Sequence, residues 1–190
     1  KYDGEASLAD IYKPEIFGDT TVYADIYKVA PQEAAAYIQD KMEFDEMVVN
    51  IGIRYDYFDP ASVYPSNRRN PSNQLAYKDT SGVLIDSLMS TYPDAEIIDQ
   101  ISPRIGFAYQ LGNEAVLHFS YGHFFQMPPL YAMYQNHSFL IPPNDHGTTM
   151  GNVRLEPEKT ITYEIGLWQE LTRGLSLDVA LFYRDIYNLL

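Results

Sequence analysis

The 190-residue sequence contains no cysteine, one tryptophan, and only 13 lysine and arginine residues against 26 aspartate and glutamate residues. The absence of cysteine excludes a disulfide framework and a thiolate metal site. The shortage of positive charge gives a formal net charge of −13, which argues against nucleic acid as a partner. No apolar run approaches the roughly 18 residues of a transmembrane helix, so the sequence excludes a helical membrane protein.

Neither end of the sequence has the features of a natural terminus. No apolar stretch follows Lys1, so we expect no signal peptide at this position. The sequence stops at Leu190, directly after a predicted strand, without a capping segment. We therefore expect the chain to be an internal part of a longer protein.

Tyrosine is the most conspicuous residue that is present. There are 17 tyrosines and 9 phenylalanines, although the mean hydropathy is only −0.27. Tyrosine combines an apolar ring with a hydroxyl that requires a polar partner, so it is suited to the boundary between an apolar phase and water.

The clearest pattern covers residues 101–126, ISPRIGFAYQLGNEAVLHFSYGHFFQ. Apolar or aromatic residues alternate with small or polar ones on both sides of Gly112-Asn113. This period of two predicts two strands whose faces meet different surroundings. Gly112-Asn113 can adopt the positive φ angles of a tight hairpin turn, and it is not a phosphate-binding loop because no helix follows.

The same alternation recurs at residues 47–57, 160–167 and 175–183. Residues 33–44, EAAAYIQDKMEF, allow a short amphipathic helix because of their alanines, but we predict a strand because a clean strand follows directly. A further strand is predicted, with less support from the pattern, at residues 20–29.

The lengths of the connections alternate strictly. Short turns at Asp45-Glu46, Gly112-Asn113 and residues 172–174 alternate with long segments at residues 59–100 and 127–157. Long structureless loops are uncommon in compact soluble domains. Short turns on one side and long loops on the other are typical of an outer-membrane barrel. The sequence therefore predicts an all-β, antiparallel up-and-down transmembrane β-barrel, of which about six strands are present.

The alternation also assigns the two faces of the predicted sheet. Odd-numbered residues are mostly apolar and are expected to meet lipid. The even-numbered polar residues expected to face the lumen are Asn50, Arg54, Asp56, Arg104, Gln110, His118, Ser120, Glu164, Asp178 and Arg184. Two aromatic bands are expected at the membrane boundaries. The outer band comprises Tyr55, Tyr57, Tyr121, Phe125 and Tyr183, and the inner band comprises Phe44, Tyr109 and Trp168.

Few residues suggest chemistry. His118, His123, His137 and His146 are candidates for a metal site, but His118 and His123 differ in parity and are expected on opposite faces. Glu164 and Asp178 are candidates for an acid–base pair, but we favour the interpretation that both carboxylates simply line a polar lumen. We predict no catalytic residue, metal or cofactor. Arg104 is expected to contact a plug, and the segment 144–147, NDHG, either contacts ligand or forms a solvated turn.

Several segments together resemble TonB-dependent receptors of the outer membrane. The segment at 50–56, NIGIRYD, resembles their N-x-G-x-R-Y-D strand, and 102–106, SPRIG, resembles their S-P-R-x-G strand. The segments at 121–128, YGHFFQMP, at 155–160, LEPEKT, and at 163–166, YEIG, follow in the order of the family. The segment at 37–40, YIQD, matches a Y-x-Q-D strand.

This resemblance implies a large plugged barrel in the outer membrane of a Gram-negative cell. Such a barrel imports a scarce ligand with energy from the TonB system, and its partners are the lipid bilayer, TonB and the ligand. We expect residues 33–190 to form part of the barrel wall and residues 1–32 to precede it as a loop. The plug and the TonB box are missing from this sequence. A porin-like or enzymatic barrel and a soluble carbohydrate-binding β-sandwich remain the alternatives.

Overall fold

A computed structural model describes residue 18, residues 24–141 and residues 148–189. Its framework is one antiparallel sheet whose six strands lie side by side in the order of the sequence. The strands are β1 (Gln32–Glu43), β2 (Met47–Asp59), β3 (Ile98–Leu111), β4 (Ala115–Gln126), β5 (Glu158–Thr172) and β6 (Leu175–Tyr187). Every strand pairs with the next along the chain, which confirms the predicted all-β, up-and-down arrangement.

The segment at residues 33–44, for which a short helix was the alternative, is a strand. β1 pairs with β2 along its whole length, from Gln32 opposite Asp59 to Glu43 opposite Val48. This pairing prevails over the helix propensity of the alanines, since β1 can bond its backbone groups to the clean strand that follows. The weaker strand prediction at residues 20–29 fails for residues 24–29, which have no regular structure, and residues 20–23 lie outside the described part.

The turn between β3 and β4 is one residue longer than predicted. Leu111 pairs with Ala115, so the connection comprises Gly112, Asn113 and Glu114. Gly112 has a φ of +65°, whereas Asn113 does not adopt a positive φ. The expected two-residue turn is therefore wrong in length, although the glycine does supply the left-handed conformation that the hairpin needs.

The register confirms the assignment of the two faces in β2 to β6. Residues directly opposite each other lie on the same face of a sheet. Even-numbered residues pair with even-numbered residues from β2 through β6 up to a bulge at Glu170 and Thr172. The charged and polar side chains predicted for the lumen thus share one surface, here called the polar face. The opposite surface, rich in isoleucine, leucine and tyrosine, is called the apolar face.

In β1 the assignment of the faces is reversed. The β1–β2 connection is a two-residue turn, closed by the Phe44 N–H donating to the Met47 carbonyl at 2.7 Å. Pairing across such a turn couples odd with even residue numbers, so Tyr37 lies opposite Arg54 and Asp40 lies opposite Ile51. Tyr37 is therefore on the polar face, and Asp40 is on the apolar face.

The register also gives the tilt of the strands. One row of directly paired residues crosses the sheet through Asp40, Ile51, Ile105, Tyr121, Tyr163 and Tyr183. This row lies three residues from the turn end of β1 at Glu43, but eight residues from the turn end of β6 at Leu175. A stagger of about one residue per strand, at about 3.3 Å rise and 4.8 Å strand spacing, corresponds to a tilt of about 35°. Transmembrane barrels have this tilt.

Trp168 does not belong to the inner aromatic band. It lies directly opposite Val116 on one side and Asp178 on the other, and it is therefore on the polar face. The prediction used only the distance of Trp168 from the turn, which gives the height of the residue in the membrane. It ignored the even residue number, which gives the face of the sheet. Tyr109 does fit the inner band, since it is an odd-numbered residue of β3 and its hydroxyl donates to the Glu46 carboxylate at 3.1 Å.

The described parts of the two long connections pack against each other. The first connection spans residues 60–97, slightly less than the predicted 59–100, because β3 begins earlier than expected. The second connection spans the predicted residues 127–157. The second connection contains a short helix, α1 (Leu130–Tyr134). Phe58 at the end of β2 forms a buried cluster with Met133, Tyr134 and Val153 of the second connection, and Tyr64 and Ala95 of the first connection pack against it. Within the described residues, no helix is long and apolar enough to cross a membrane.

Candidate ligand-contacting surfaces

The polar face carries an ion pair in the half of β2 nearer the long loops. The Arg54 guanidinium binds the Asp56 carboxylate through Nη2 at 2.7 Å and Nε at 2.8 Å. Both residues belong to β2 and lie on the same face two positions apart. The two contacts hold the guanidinium along the strand, so that Arg54 presents a fixed charge to whatever fills the space above the sheet.

Glycines on the polar face allow larger side chains to lie flat against the strands. The His118 imidazole covers Gly166, where a Cβ atom would collide with the ring. The Phe124 ring lies 3.2 Å from the Cβ position of Gly122, and the Arg104 guanidinium is 4.7 Å from the centre of that ring. Because these side chains lie flat, they project little into the space that the polar face bounds.

The proposed acid–base pair does not form. Glu164 lies opposite Phe182, whereas Asp178 lies opposite Trp168, four residues further along β5. Four residues of strand span about 13 Å, too far for the two carboxylates to share a proton. The Glu164 carboxylate is instead 3.7 Å from His118 Nε2.

The histidines do not converge. His118 is on the polar face, His123 on the apolar face and His137 in the second long loop, while His146 lies outside the described residues. Among the residues that the structure describes, no group of three or more histidine, cysteine, aspartate or glutamate side chains is arranged to hold a metal ion. The candidate segment 144–147 also lies outside the described residues.

The first long loop is fixed by asparagine side chains at intervals of three residues. The amide of Asn70 is buried and bonds to both backbone groups of Leu75, at 2.9 and 3.1 Å. Asn73 bonds to both backbone groups of Ser90, and the Ser90 hydroxyl donates to the carbonyls of Asn67 and Asn70. These bonds replace the secondary structure that the loop lacks, since they satisfy backbone groups that would otherwise be buried without partners.

The second long loop closes over α1. The Gly151 N–H donates to the Gln135 carbonyl at 2.7 Å, and the Asn152 N–H donates to the Ala132 carbonyl at 2.9 Å. A Cβ atom at Gly151 would lie 2.5 Å from the Met133 carbonyl oxygen, so the two backbones can approach this closely only with glycine. The Gln74 amide then joins the two loops, with one bond to each backbone group of Ile141.

A cleft with a volume of about 360 Å³ opens between the two loops. Tyr64 and Arg68 line one side, and His137, Phe139 and Arg154 line the other. The Arg154 guanidinium lies 4.6 Å from the centre of the Tyr64 ring. Small-molecule sites in proteins have volumes of about 300–1,000 Å³, and this cleft is at the lower end of that range.

The walls of the cleft are held by buried groups beneath it. The buried Tyr134 hydroxyl donates to the Pro60 carbonyl at 2.8 Å, which connects α1 to the end of β2. Burial, and secondarily the nearby Asp59 carboxylate, raises the pKa of Tyr134 above its ordinary value of 10.0. The His137 ring contacts the Tyr134 ring edge-on, with 6.4 Å between the centroids, and its Nδ1 is 3.4 Å from the Ser62 hydroxyl.

Comparison with protein families gives a match that covers almost the whole chain. The family described as TonB dependent receptor-like, beta-barrel, matches residues 3–190. The chain belongs to this family. Members of the TonB-dependent receptor family are outer-membrane receptors and not enzymes, which confirms the predicted family, location and absence of catalysis. The apolar face of the sheet therefore meets lipid, and the polar face lines the barrel interior. A comparison with curated proteins gives no match.

Three solved structures of outer-membrane receptors are similar to the chain. The haemophore receptor HasR of Serratia marcescens, solved as a double mutant with its haemophore HasA and haem, shares 19% identity at a TM-score of 0.56 and covers 84% of the chain. The alcaligin receptor FauA of Bordetella pertussis shares 20% identity over 85% of the chain. The ferric-catecholate import receptor Fiu of Escherichia coli K12 shares 22% over 82%. The last two have TM-scores of 0.44.

The similarity to HasR shows the barrel fold. The chain spans 26% of the length of HasR and 21% of the length of FauA and of Fiu.

The cleft between the long loops could not be found from the sequence. Tyr64 and Arg154 are 90 positions apart, and they meet only because α1 and Gly151 bring the second loop back over the end of β2. The composition of the first loop is the signal in the sequence that indicates an ordered wall. This loop contains the segment 67–73, NRRNPSN, whose asparagine side chains bond to the backbone of the same loop.

Proposed function

We propose that the complete protein is a TonB-dependent transporter that binds a scarce ligand outside the cell and imports it across the outer membrane. The observation that supports this function best is the combination of a lipid-facing apolar surface, a charged inner surface and two long connections at one end of one continuous sheet of the family's barrel. A scaffold of this kind separates the ligand site in the loops from the wall that holds the protein in the membrane.

We also propose the TonB system as the energy-supplying partner, and a plug domain elsewhere in the complete protein as the occupant of the barrel interior. Arg54 and Arg104 both lie on the polar face, which would meet such a plug. We propose further that residues 33–190 are barrel wall and that the residues before them form an outer loop. Two contacts of that segment support this assignment: the Asp25 carboxylate accepts a bond from the Asn136 N–H, and the Tyr27 ring lies beside His137.

The proposed function is tested by uptake in cells that express the complete protein. Growth on, or accumulation of, its ligand is compared in a strain with an intact TonB system and in an isogenic strain that lacks tonB, with equal amounts of the protein in the outer membrane. We expect uptake to disappear without TonB, while binding of ligand to the cell surface remains. Uptake at the same rate in both strains would identify a passive porin and would overturn the proposal.

A further inference from the structure

The cleft between the two long loops has an electrostatic character opposite to that of the rest of the chain. Acidic residues outnumber lysine and arginine two to one in the sequence. Among the described residues that line the cleft, there are two arginines, Arg68 and Arg154, one histidine and no carboxylate. No salt bridge among the described residues engages either arginine. Both guanidinium groups are exposed and thus available to a ligand.

The cleft also presents flat rings. Tyr64 lies under the Arg154 guanidinium, and Phe139 forms a stacked pair with Tyr92, with 5.8 Å between the ring centroids. Guanidinium planes and aromatic rings both favour stacking against another planar group, and guanidinium forks bind carboxylate or phenolate oxygens. An anionic ligand would supply the counter-charge that the described salt bridges do not give to either arginine.

The walls are fixed in place before any ligand arrives. On the first loop, the Tyr64 N–H donates to the Pro93 carbonyl at 3.1 Å and the Ser66 N–H donates to the Thr91 carbonyl at 2.9 Å. On the second loop, Gly151 and Asn152 are bonded to the end of α1. A site that is already ordered loses less conformational freedom on binding, which increases its affinity.

We propose that this cleft is a ligand-binding site of the receptor and that it selects an anionic aromatic group, held by Arg68 and Arg154 and stacked on the rings of Tyr64 and Phe139. The proposal rests on the proposed transport function, and it names the chemical class of the ligand. The volume of about 360 Å³ fits one or two aromatic rings.

The test uses the complete receptor, purified in detergent micelles, and equilibrium binding of three probes. The probes are the iron(III) complex of 2,3-dihydroxybenzoate, which is anionic and aromatic, ferrioxamine B, which is cationic and not aromatic, and maltoheptaose, which is neutral. We expect binding of the first probe only, and we expect its affinity to fall as the salt concentration rises. The double variant Arg68→Gln/Arg154→Gln should reduce this affinity by at least about tenfold.

Arg69→Gln is the matched control, because Arg69 is the exposed neighbour of Arg68 and does not line the cleft. It should bind as the unmodified receptor does. Tyr64→Leu, which retains the charges but removes the ring, should weaken the same probe and leave the salt dependence unchanged. Failure of the anionic probe to bind, preference for either of the other probes, or unchanged affinity in the double variant would overturn the proposal. A TonB-independent uptake result would overturn the transport function alone, since these binding measurements do not require TonB.

Discussion

Tyr134 is the residue on which the outer loops depend most directly. Its side chain is only 1% exposed, and its hydroxyl bonds to the Pro60 carbonyl across the junction between the two loops. A buried hydrogen bond that loses one partner costs about 1–3 kcal/mol, because the remaining polar group is left without water or protein. This bond is therefore one of the contacts that fix α1 above the end of β2, beside the buried packing of Phe58, Met133 and Val153.

We expect Tyr134→Phe to destabilise the packed loops by about 1–3 kcal/mol and to make them more sensitive to protease. Because the pKa of the folded Tyr134 is raised above 10.0, this residue contributes its full stability below that pH. The contribution is lost as the pH rises through the higher pKa of the folded state. The measurement is loop proteolysis of the complete protein in micelles, at neutral and at strongly alkaline pH.

The control for this experiment is Tyr131→Phe. Tyr131 belongs to the same helix but is 67% exposed, so the loss of its hydroxyl should change neither the protease sensitivity nor its pH dependence. If the Tyr134→Phe protein were as resistant at neutral pH as the unmodified protein, the bond to Pro60 would have no role in fixing the loops.

At the same scale, two glycines have structural roles that the sequence does not reveal. Gly151 and Gly166 look alike in the sequence, but one allows two backbones to touch and the other accommodates a histidine ring. Neither role is local, because the crowding atoms come from Met133 in one case and from His118 in the other. Such requirements cannot be predicted without the tertiary contact.

At the scale of the strands, the face of the sheet on which a residue lies decides whether its side chain meets lipid or the barrel interior. The period of two predicted the clean strands, and in β2 to β6 it also predicted the face correctly. In β1 the expectation that odd-numbered residues face lipid was wrong, because a two-residue turn reverses the parity and a three-residue turn preserves it. Asp40 is consequently on the lipid-facing side, but it lies only three residues from the end of β1, close to the membrane boundary, where a charge costs about 0–1 kcal/mol.

The faces can be tested with a matched pair of substitutions. Leu167 on the apolar face and Ser120 on the polar face each lie five residues from the turn end of their strand. We expect Leu167→Arg to destabilise the barrel by about 2–4 kcal/mol, because the charge would enter lipid near mid-membrane, whereas Ser120→Arg should have little effect. The readout is folding of the complete protein into lipid vesicles during a urea titration. Equal losses for the two variants would contradict the assignment of the faces.

For the whole molecule, the alternation of short and long connections fixes the orientation in the membrane. We expect the long connections to lie outside the cell and the short turns to face the periplasm. This chain contains no cysteine, so single introduced cysteines act as clean reporters of position. Thr80 in the first long loop and Asn113 in the β3–β4 turn are both exposed and suit this purpose.

We expect Thr80→Cys in the complete protein to react with a membrane-impermeant maleimide added to intact cells. We expect Asn113→Cys to react only after the outer membrane is permeabilised. The unmodified protein provides the background. Labelling of Asn113→Cys in intact cells would show that the strands cross the membrane in the opposite direction.

The sequence by itself determined the strands, the alternation of their connections, the faces of β2 to β6 and the family. The strands and their faces depend on local periodicity, which can be read from neighbouring residues, whereas the family was indicated by the resemblance of short motifs such as residues 50–56 and 102–106. Only the tertiary structure decided the reversed face of β1 and the cleft between the loops. The face of β1 depends on turn length and register. The cleft joins Tyr64 to Arg154 through backbone contacts between segments far apart in the chain, and no local pattern encodes such contacts.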